Sequence, residues 1–175
     1  KDRSGVRVDK ILELASQFKL VIEEISAKEM ERDFPDVVHQ GVVAVANPLP
    51  QYSEQDIPFL IDSSADNVLI LILDGVTDPH NLGACLRVAD AAGASFVIIP
   101  KDKNATITPV VSKVACGAAE FIPLIRVTNL ARTIKELKKH GIWIYGTDLS
   151  ATESIYQLDC KVPLAFVMGA EGDGM

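Results

Sequence analysis

Val68-Leu-Ile-Leu-Ile-Leu73, followed at once by Asp74-Gly-Val-Thr-Asp-Pro-His-Asn-Leu-Gly83, decides the fold of this chain. A continuous apolar run suits a strand whose sheet is covered by helices on both faces, as in parallel α/β architectures. The polar stretch behind it reads as a strand-to-helix loop. Asp78 before Pro79, or Asn81 before Leu82, supplies a helix N-cap. A helix that begins where a strand ends presents unpaired backbone N–H groups to a polar ligand. The plain alternative is an ordinary turn.

Downstream the unit repeats. A helix is expected over 82–92, a strand at Phe96–Ile99, a helix at Pro109–Cys116 and a strand at Phe121–Val127. Leu130–Lys139 then reads as a helix with a polar outer face, and Trp143–Gly146 and Leu164–Met168 as strands. Strands alternating with helices predict a parallel, doubly wound α/β sheet, in which ligands bind beyond the carboxyl ends of the strands.

Upstream the pattern breaks. Residues 46–66 bring in Pro48, Pro50, Pro58 and the pair Ser63-Ser64, and read as a linker with one short helix near Glu54–Ile61. Before it, Val8, Ile11, Leu12, Leu14 and Ala15 fall at helical spacing, with Asp9 as the expected cap. Lys19–Glu23 and Gly41–Val45 read as short strands, and Ser26-Ala-Lys-Glu29 as a capping box opening a helix between them. About 45 residues is small for an independent domain, so this piece reads as half of one. The expected division is therefore 1–46, a linker at 47–66, and 67–175.

Composition narrows the classes. The chain has 175 residues, 48% of them hydrophobic and 23% charged, enough apolar material for a core without staples. Asp74 ends the longest apolar run well short of a membrane span. Cys85, Cys116 and Cys160 are too widely spaced for a disulfide framework, and no histidine pairs with them, so neither a metal nor a membrane is expected, and the cytoplasm is. The net charge of −7 argues against a nucleic-acid partner unless basic surface is local or lies elsewhere in the assembly.

Two features carry chemistry. Gly83-Ala-Cys-Leu-Arg-Val-Ala-Asp-Ala-Ala-Gly93 is small and apolar except for Arg87 and Asp90. If that helix packs inside, a lone arginine is costly unless paired or functional, and a guanidinium is suited to gripping a phosphate with two hydrogen bonds. The alternative is a pair with Asp90 one turn on. The second is Met168-Gly-Ala-Glu-Gly-Asp-Gly-Met175, where glycines let backbone approach a ligand and Glu171 sits at a strand's mouth. It is not the G-x-G-x-x-G spacing of dinucleotide folds, so an oxidoreductase on a Rossmann-like sheet is disfavoured. Thr147-Asp148, at the end of another strand, lines the same cleft or is solvated surface.

Taken together, Asp78–Gly93 resembles the first signature of the SpoU/TrmH family of SPOUT methyltransferases, and Val167–Gly172 its second. Val38-His-Gln-Gly-Val-Val-Ala44 is similar to the end of the small L30e-like RNA-binding domain in the branch that methylates guanosine 2′-hydroxyls of bacterial 23S rRNA. The resemblance implies a trefoil-knotted α/β domain working as a homodimer, with S-adenosyl-L-methionine (SAM) as methyl donor and RNA, most of all rRNA, as substrate. It implies that Arg87, Asn81 and Glu171 carry catalysis, and that Gly169, Thr147, Ala170 and Gly172 border the cofactor. A tRNA substrate, or a non-catalytic RNA-binding module, is the alternative. The family's third signature has no counterpart before Met175, nor the first half of the L30e-like domain after Lys1. The expectation is thus a fragment that neither binds SAM well nor methylates RNA by itself.

Overall fold

The computed structural model describes residues 5–35, 39–47, 49–64 and 68–169. The chain divides into two compact units, Lys1–Asn47 and Pro48–Met175.

The second unit is built on a six-stranded parallel sheet in the order β1-β4-β3-β2-β6-β5. The strands are β1 (Tyr52–Ser53), β2 (Leu69–Leu73), β3 (Phe96–Pro100), β4 (Leu124–Val127), β5 (Trp143–Gly146) and β6 (Leu164–Met168). One face carries Ile70, Ile72, Phe96, Ile98, Ile125, Val127, Ala165 and Val167. It packs under α3 (Ile57–Ser63) through Ile57 and Leu60, and under α7 (Leu130–Lys139) through Leu137. The other face, with Leu73, Val97 and Ile99, packs under α4 (Pro79–Ala91), α5 (Pro109–Ala115) and α6 (Ala118–Phe121). Side chains alternate between faces along each strand, so two-sided cover explains why β2 and β3 read as unbroken apolar runs.

Three expectations need correction here. Of the expected linker 47–66, residues 52–63 belong to the fold: β1 pairs in parallel with β4, and α3 buries Ile57 and Leu60 against the sheet. Prolines obscured this, although Pro58 sits at the start of α3, where a missing N–H costs nothing. The fourth strand starts at Leu124, not Phe121. Residues 118–121 form a helical turn, and β4 follows Pro123, whose carbonyl accepts from Val97. Helix α4 begins at Pro79 rather than Leu82, and of the two expected caps it is Asp78 that holds, accepting from the His80 N–H at 3.1 Å.

In the first unit, α1 (Val6–Gln17) and α2 (Ala27–Asp33) form as expected, the latter with the Ser26–Glu29 capping box. Gly5 rather than Asp9 takes the N-cap position of α1; Asp9 falls in its first turn. Neither expected strand forms at 19–23 or 41–45. A strand is held by hydrogen bonds to a neighbour, and no ladder exists among the described residues of this unit. Val21 and Val45 are 98% and 91% exposed, and Ala15 is the one buried apolar residue described there. No helix of the described chain is long and apolar enough to cross a membrane.

Candidate active site

The strand order reverses between β2 and β6. From β2 the chain moves outward through β3 to β4, beyond which the earlier strand β1 forms the edge, while β6 and β5 lie on the other side. Connections diverge at such a switch point and open a crevice beyond the carboxyl ends of the strands. Here the Asp74 N–H, just past β2, donates to the Met168 carbonyl at the end of β6 at 2.8 Å. The Thr147 N–H, just past β5, donates to the Val167 carbonyl at 2.9 Å, and its hydroxyl donates to the same oxygen at 3.2 Å. The ends of three adjacent strands are therefore bound together, and Thr147 and Gly169 sit on one lip.

The other lip is the loop from Asp74 to Asp78. Gly75 takes φ of +88°, a left-handed conformation that glycine adopts without strain, and turns the chain out of β2. Beyond the turn the Val76 N–H donates to the Asn104 side-chain oxygen at 2.9 Å, and the Val76 carbonyl accepts from Ala105 at 2.8 Å. Asn104 thus fastens the loop that leads into α4. Nothing in the sequence pattern marked it, because its partner lies 28 positions away.

Helix α4 has two unlike faces. Leu82, Gly83, Leu86 and Ala89 are buried, while Arg87, Val88 and Asp90 are exposed. Gly83 has a packing role: a Cβ there would lie 2.7 Å from the Val114 Cβ and 2.9 Å from the Val111 carbonyl oxygen of α5. Arg87 falls on the outward side, so the expectation of an expensive buried arginine is corrected. At about 100° per residue it lies off the buried stripe. Nor does it pair with Asp90; the three ion pairs among the described residues are Arg32–Asp33, Arg132–Glu54 and Lys139–Glu136. Asn81, half-buried, sits in the first turn of α4. Ala170, Glu171 and Gly172 lie outside the described residues.

Between the ends of β5 and β6 is a cleft of about 410 Å³, whose lining includes Tyr145, Thr147, Asp148, Glu153, Ile155 and Phe166. The Tyr145 and Phe166 rings stand 5.9 Å apart, centre to centre, on the face that α4–α6 cover elsewhere. The Asp148 carboxyl is held below the usual carboxylate range, first by the Ser150 hydroxyl and then by the Ser150 N–H. An ionised acceptor beside aromatic walls suits a ligand combining a flat heterocycle with hydroxyl or amino groups. No cluster of three metal-ligating side chains occurs among the described residues.

Comparison with known proteins agrees with this geometry. The family model described as the SpoU rRNA Methylase family matches residues 68–175, and the one described as RNA 2'-O ribose methyltransferase substrate binding matches residues 1–52. The 23S rRNA (guanosine-2'-O-)-methyltransferase RlmB of Pseudomonas putida is 53% identical over 99% of this chain and 69% of its own length. That of Photobacterium profundum is 51% identical over 100% of this chain and 71% of its own. Among solved structures, the AdoMet-bound rRNA methyltransferase from Sinorhizobium meliloti superposes with a TM-score of 0.70 at 24% identity, covering 97% of this chain and 62% of that one. A TrmH-family RNA methyltransferase from Porphyromonas gingivalis gives a TM-score of 0.56 at 31% identity, over 63% of this chain and 45% of that one.

Proposed function

The chain belongs to the SpoU rRNA Methylase family, and we propose that its protein transfers a methyl group from SAM to the ribose 2′-hydroxyl of a guanosine in 23S rRNA. The observation that carries this reading is the switch-point crevice, with Thr147 and Gly169 on one lip and α4, bearing Asn81 and Arg87, leaving the other.

The residues present fit SAM. The cleft between β5 and β6 offers aromatic side chains and an ionised Asp148 to an adenosyl group, with Thr147 in its lining and Gly169, Ala170 and Gly172 following β6 in sequence. When bound, SAM supplies a methyl group on a sulfonium, an electrophile whose leaving group departs as a neutral thioether. What the protein must add is activation of the nucleophile, which is the RNA's own 2′-hydroxyl. That hydroxyl is a poor nucleophile near neutral pH unless its proton passes to an oxygen of the neighbouring RNA phosphate or to water as the methyl group is attacked. Arginine side chains keep their proton there, so Arg87 acts as a fixed cation rather than a base. Its exposed guanidinium is free to grip an RNA phosphate and to stabilise the alkoxide developing beside it. Asn81 and Glu171 orient the hydroxyl, and the anchored 74–78 loop keeps Asn81 in register with the cofactor lip.

The first unit belongs to the substrate-binding module, similar to ribosomal protein L30e, and the protein works as a cytoplasmic homodimer with no metal. Methyl transfer from labelled SAM into 23S rRNA and into tRNA, measured side by side, tests the reading. Label in rRNA alone is the expected result; label in tRNA alone would move the substrate, and label in neither, with SAM bound, would leave an RNA-binding module.

A further inference from the structure

Outside the crevice, a cleft of about 660 Å³ lies at the other side edge of the sheet, against edge strand β1 and its neighbour β4. Leu124 floors it, on the face covered elsewhere by α4–α6, and Ile107 and Phe121 wall it. Phe121 is 81% exposed, with its ring free of other aromatic rings among the described residues. Arg126 shares Leu124's face of β4, two residues on, and lines the same cleft with Lys101. One guanidinium N–H of Arg126 donates to the Lys101 carbonyl at 3.0 Å, which fixes the group and leaves further donors unused. Neither cation forms an ion pair among the described residues.

We propose that this cleft holds one unstacked nucleotide of the RNA strand flanking the target, its base on Phe121 and its phosphate on Arg126 and Lys101. The proposal rests on the reading of RNA as substrate. Charge complementarity favours this occupant over a protein segment. The chain carries a net −7, so two cations that outnumber the one carboxylate of the same lining, beside an exposed aromatic ring, mark a place where a phosphate and a base are both accommodated. A duplex offers no free base face, whereas single-stranded loops present bases that stack on aromatic side chains. Glu120, on the same rim, adds an acceptor for a base amino group. The position fits as well: Lys101 follows the carboxyl end of β3 and Arg126 lies near that of β4, the end of the sheet at which the crevice opens. This local basic pair answers the objection that an acidic chain is unsuited to nucleic acid.

The test uses the protein with a fluorescein-labelled single-stranded oligoribonucleotide, read by anisotropy, and SAM affinity measured in parallel. Phe121→Ala is expected to weaken RNA binding roughly 5- to 150-fold, the range for one lost stacking platform. Phe121→Trp, which keeps a ring, should restore it. Arg126→Gln should lower affinity and flatten its salt dependence by about one phosphate contact. SAM affinity should not move. Ultraviolet cross-linking should place a nucleotide on the peptide containing Phe121. Wild-type affinity in both Phe121→Ala and Arg126→Gln would overturn the proposal while leaving the methyltransferase reading intact. An altered sedimentation mass in Phe121→Ala would overturn it in favour of a second copy of the chain. Failure of the wild-type protein to bind RNA would remove both readings.

Discussion

The two arms of the sheet on either side of the crevice are built differently. Strands β2 and β3 are sealed: Ile70, Ile72, Leu73 and all of Phe96–Ile99 have no accessible surface, and α4 and α5 interlock above them where Gly83 meets Val114. Strands β6 and β5 have α7 near one face, but among the described residues no helix covers the other. There Trp143 is 62% exposed and Met168 41%, and the cleft beside Tyr145 and Phe166 is open. The difference teaches a division of labour. The sealed arm fixes the position of α4 and its polar residues, and the open arm leaves room for a ligand.

The hardest blow to this comparison would come through Arg87. If the sealed arm delivers a catalytic cation and the open arm binds the cofactor, Arg87→Ala should lower kcat about 100- to 1,000-fold, the usual loss for a charge-stabilising donor. SAM affinity, measured by calorimetry, should stay within about twofold. A matching loss of SAM affinity would mean that the arms do not separate binding from chemistry. Because Arg87 is exposed, the melting temperature should not change appreciably.

Gly83→Ala probes the sealing itself. The new methyl group would meet the Val114 Cβ at 2.7 Å and backbone oxygen at 2.9 Å, so α4 and α5 must move apart. Overpacking of this kind costs about 1–3 kcal/mol, readable as a lower urea midpoint at unchanged m-value. Activity should fall with it, since α4 carries both Asn81 and Arg87. Unchanged stability would show that α5 yields freely and that the sealed arm is not rigid. On the open arm, Thr147→Val removes a hydroxyl from the cofactor lip and its bond to the Val167 carbonyl. The expected effect is a rise in the Kd for SAM of about tenfold, equivalent to about 1.4 kcal/mol, with kcat at saturating SAM little changed.

These arms were unequally legible in the sequence. The sealed arm announced itself, because strands buried on both faces must be apolar throughout. What the sequence hid was orientation and distance. Alanines around Arg87 read as a buried helix, yet only the stripe through Leu82, Leu86 and Ala89 faces inward, so its apolar character did not fix which side was core. Asn104 and β1 escaped notice because each acts through a partner remote in the chain, Val76 for one and β4 for the other. In the first unit, β-branched runs at 19–23 and 41–45 signalled strands, but strand propensity is realised only against a partner.

The far edge of the sealed arm supplies the mildest test. There Glu54, at the turn after β1, accepts from the Thr128 N–H beyond β4 and pairs with Arg132 of α7 at 2.6 Å. The Thr128 N–H is the main cause that holds the Glu54 carboxyl below its ordinary range, with Arg132 assisting against partial burial. A carboxyl depressed on folding adds stability that is present above its unfolded pKa and is lost as pH falls through the folded value. Melting temperature should therefore decline on acidification below about pH 4.5 more steeply in the wild type than in Glu54→Gln, whose side chain stays neutral. Near neutral pH the variant should be less stable by no more than about 1 kcal/mol, because Arg132 is largely solvated and the amide keeps an acceptor for Thr128. Parallel pH profiles for the two proteins would mean that β1 is held to the sealed arm by its ladder and the packing of α3 alone.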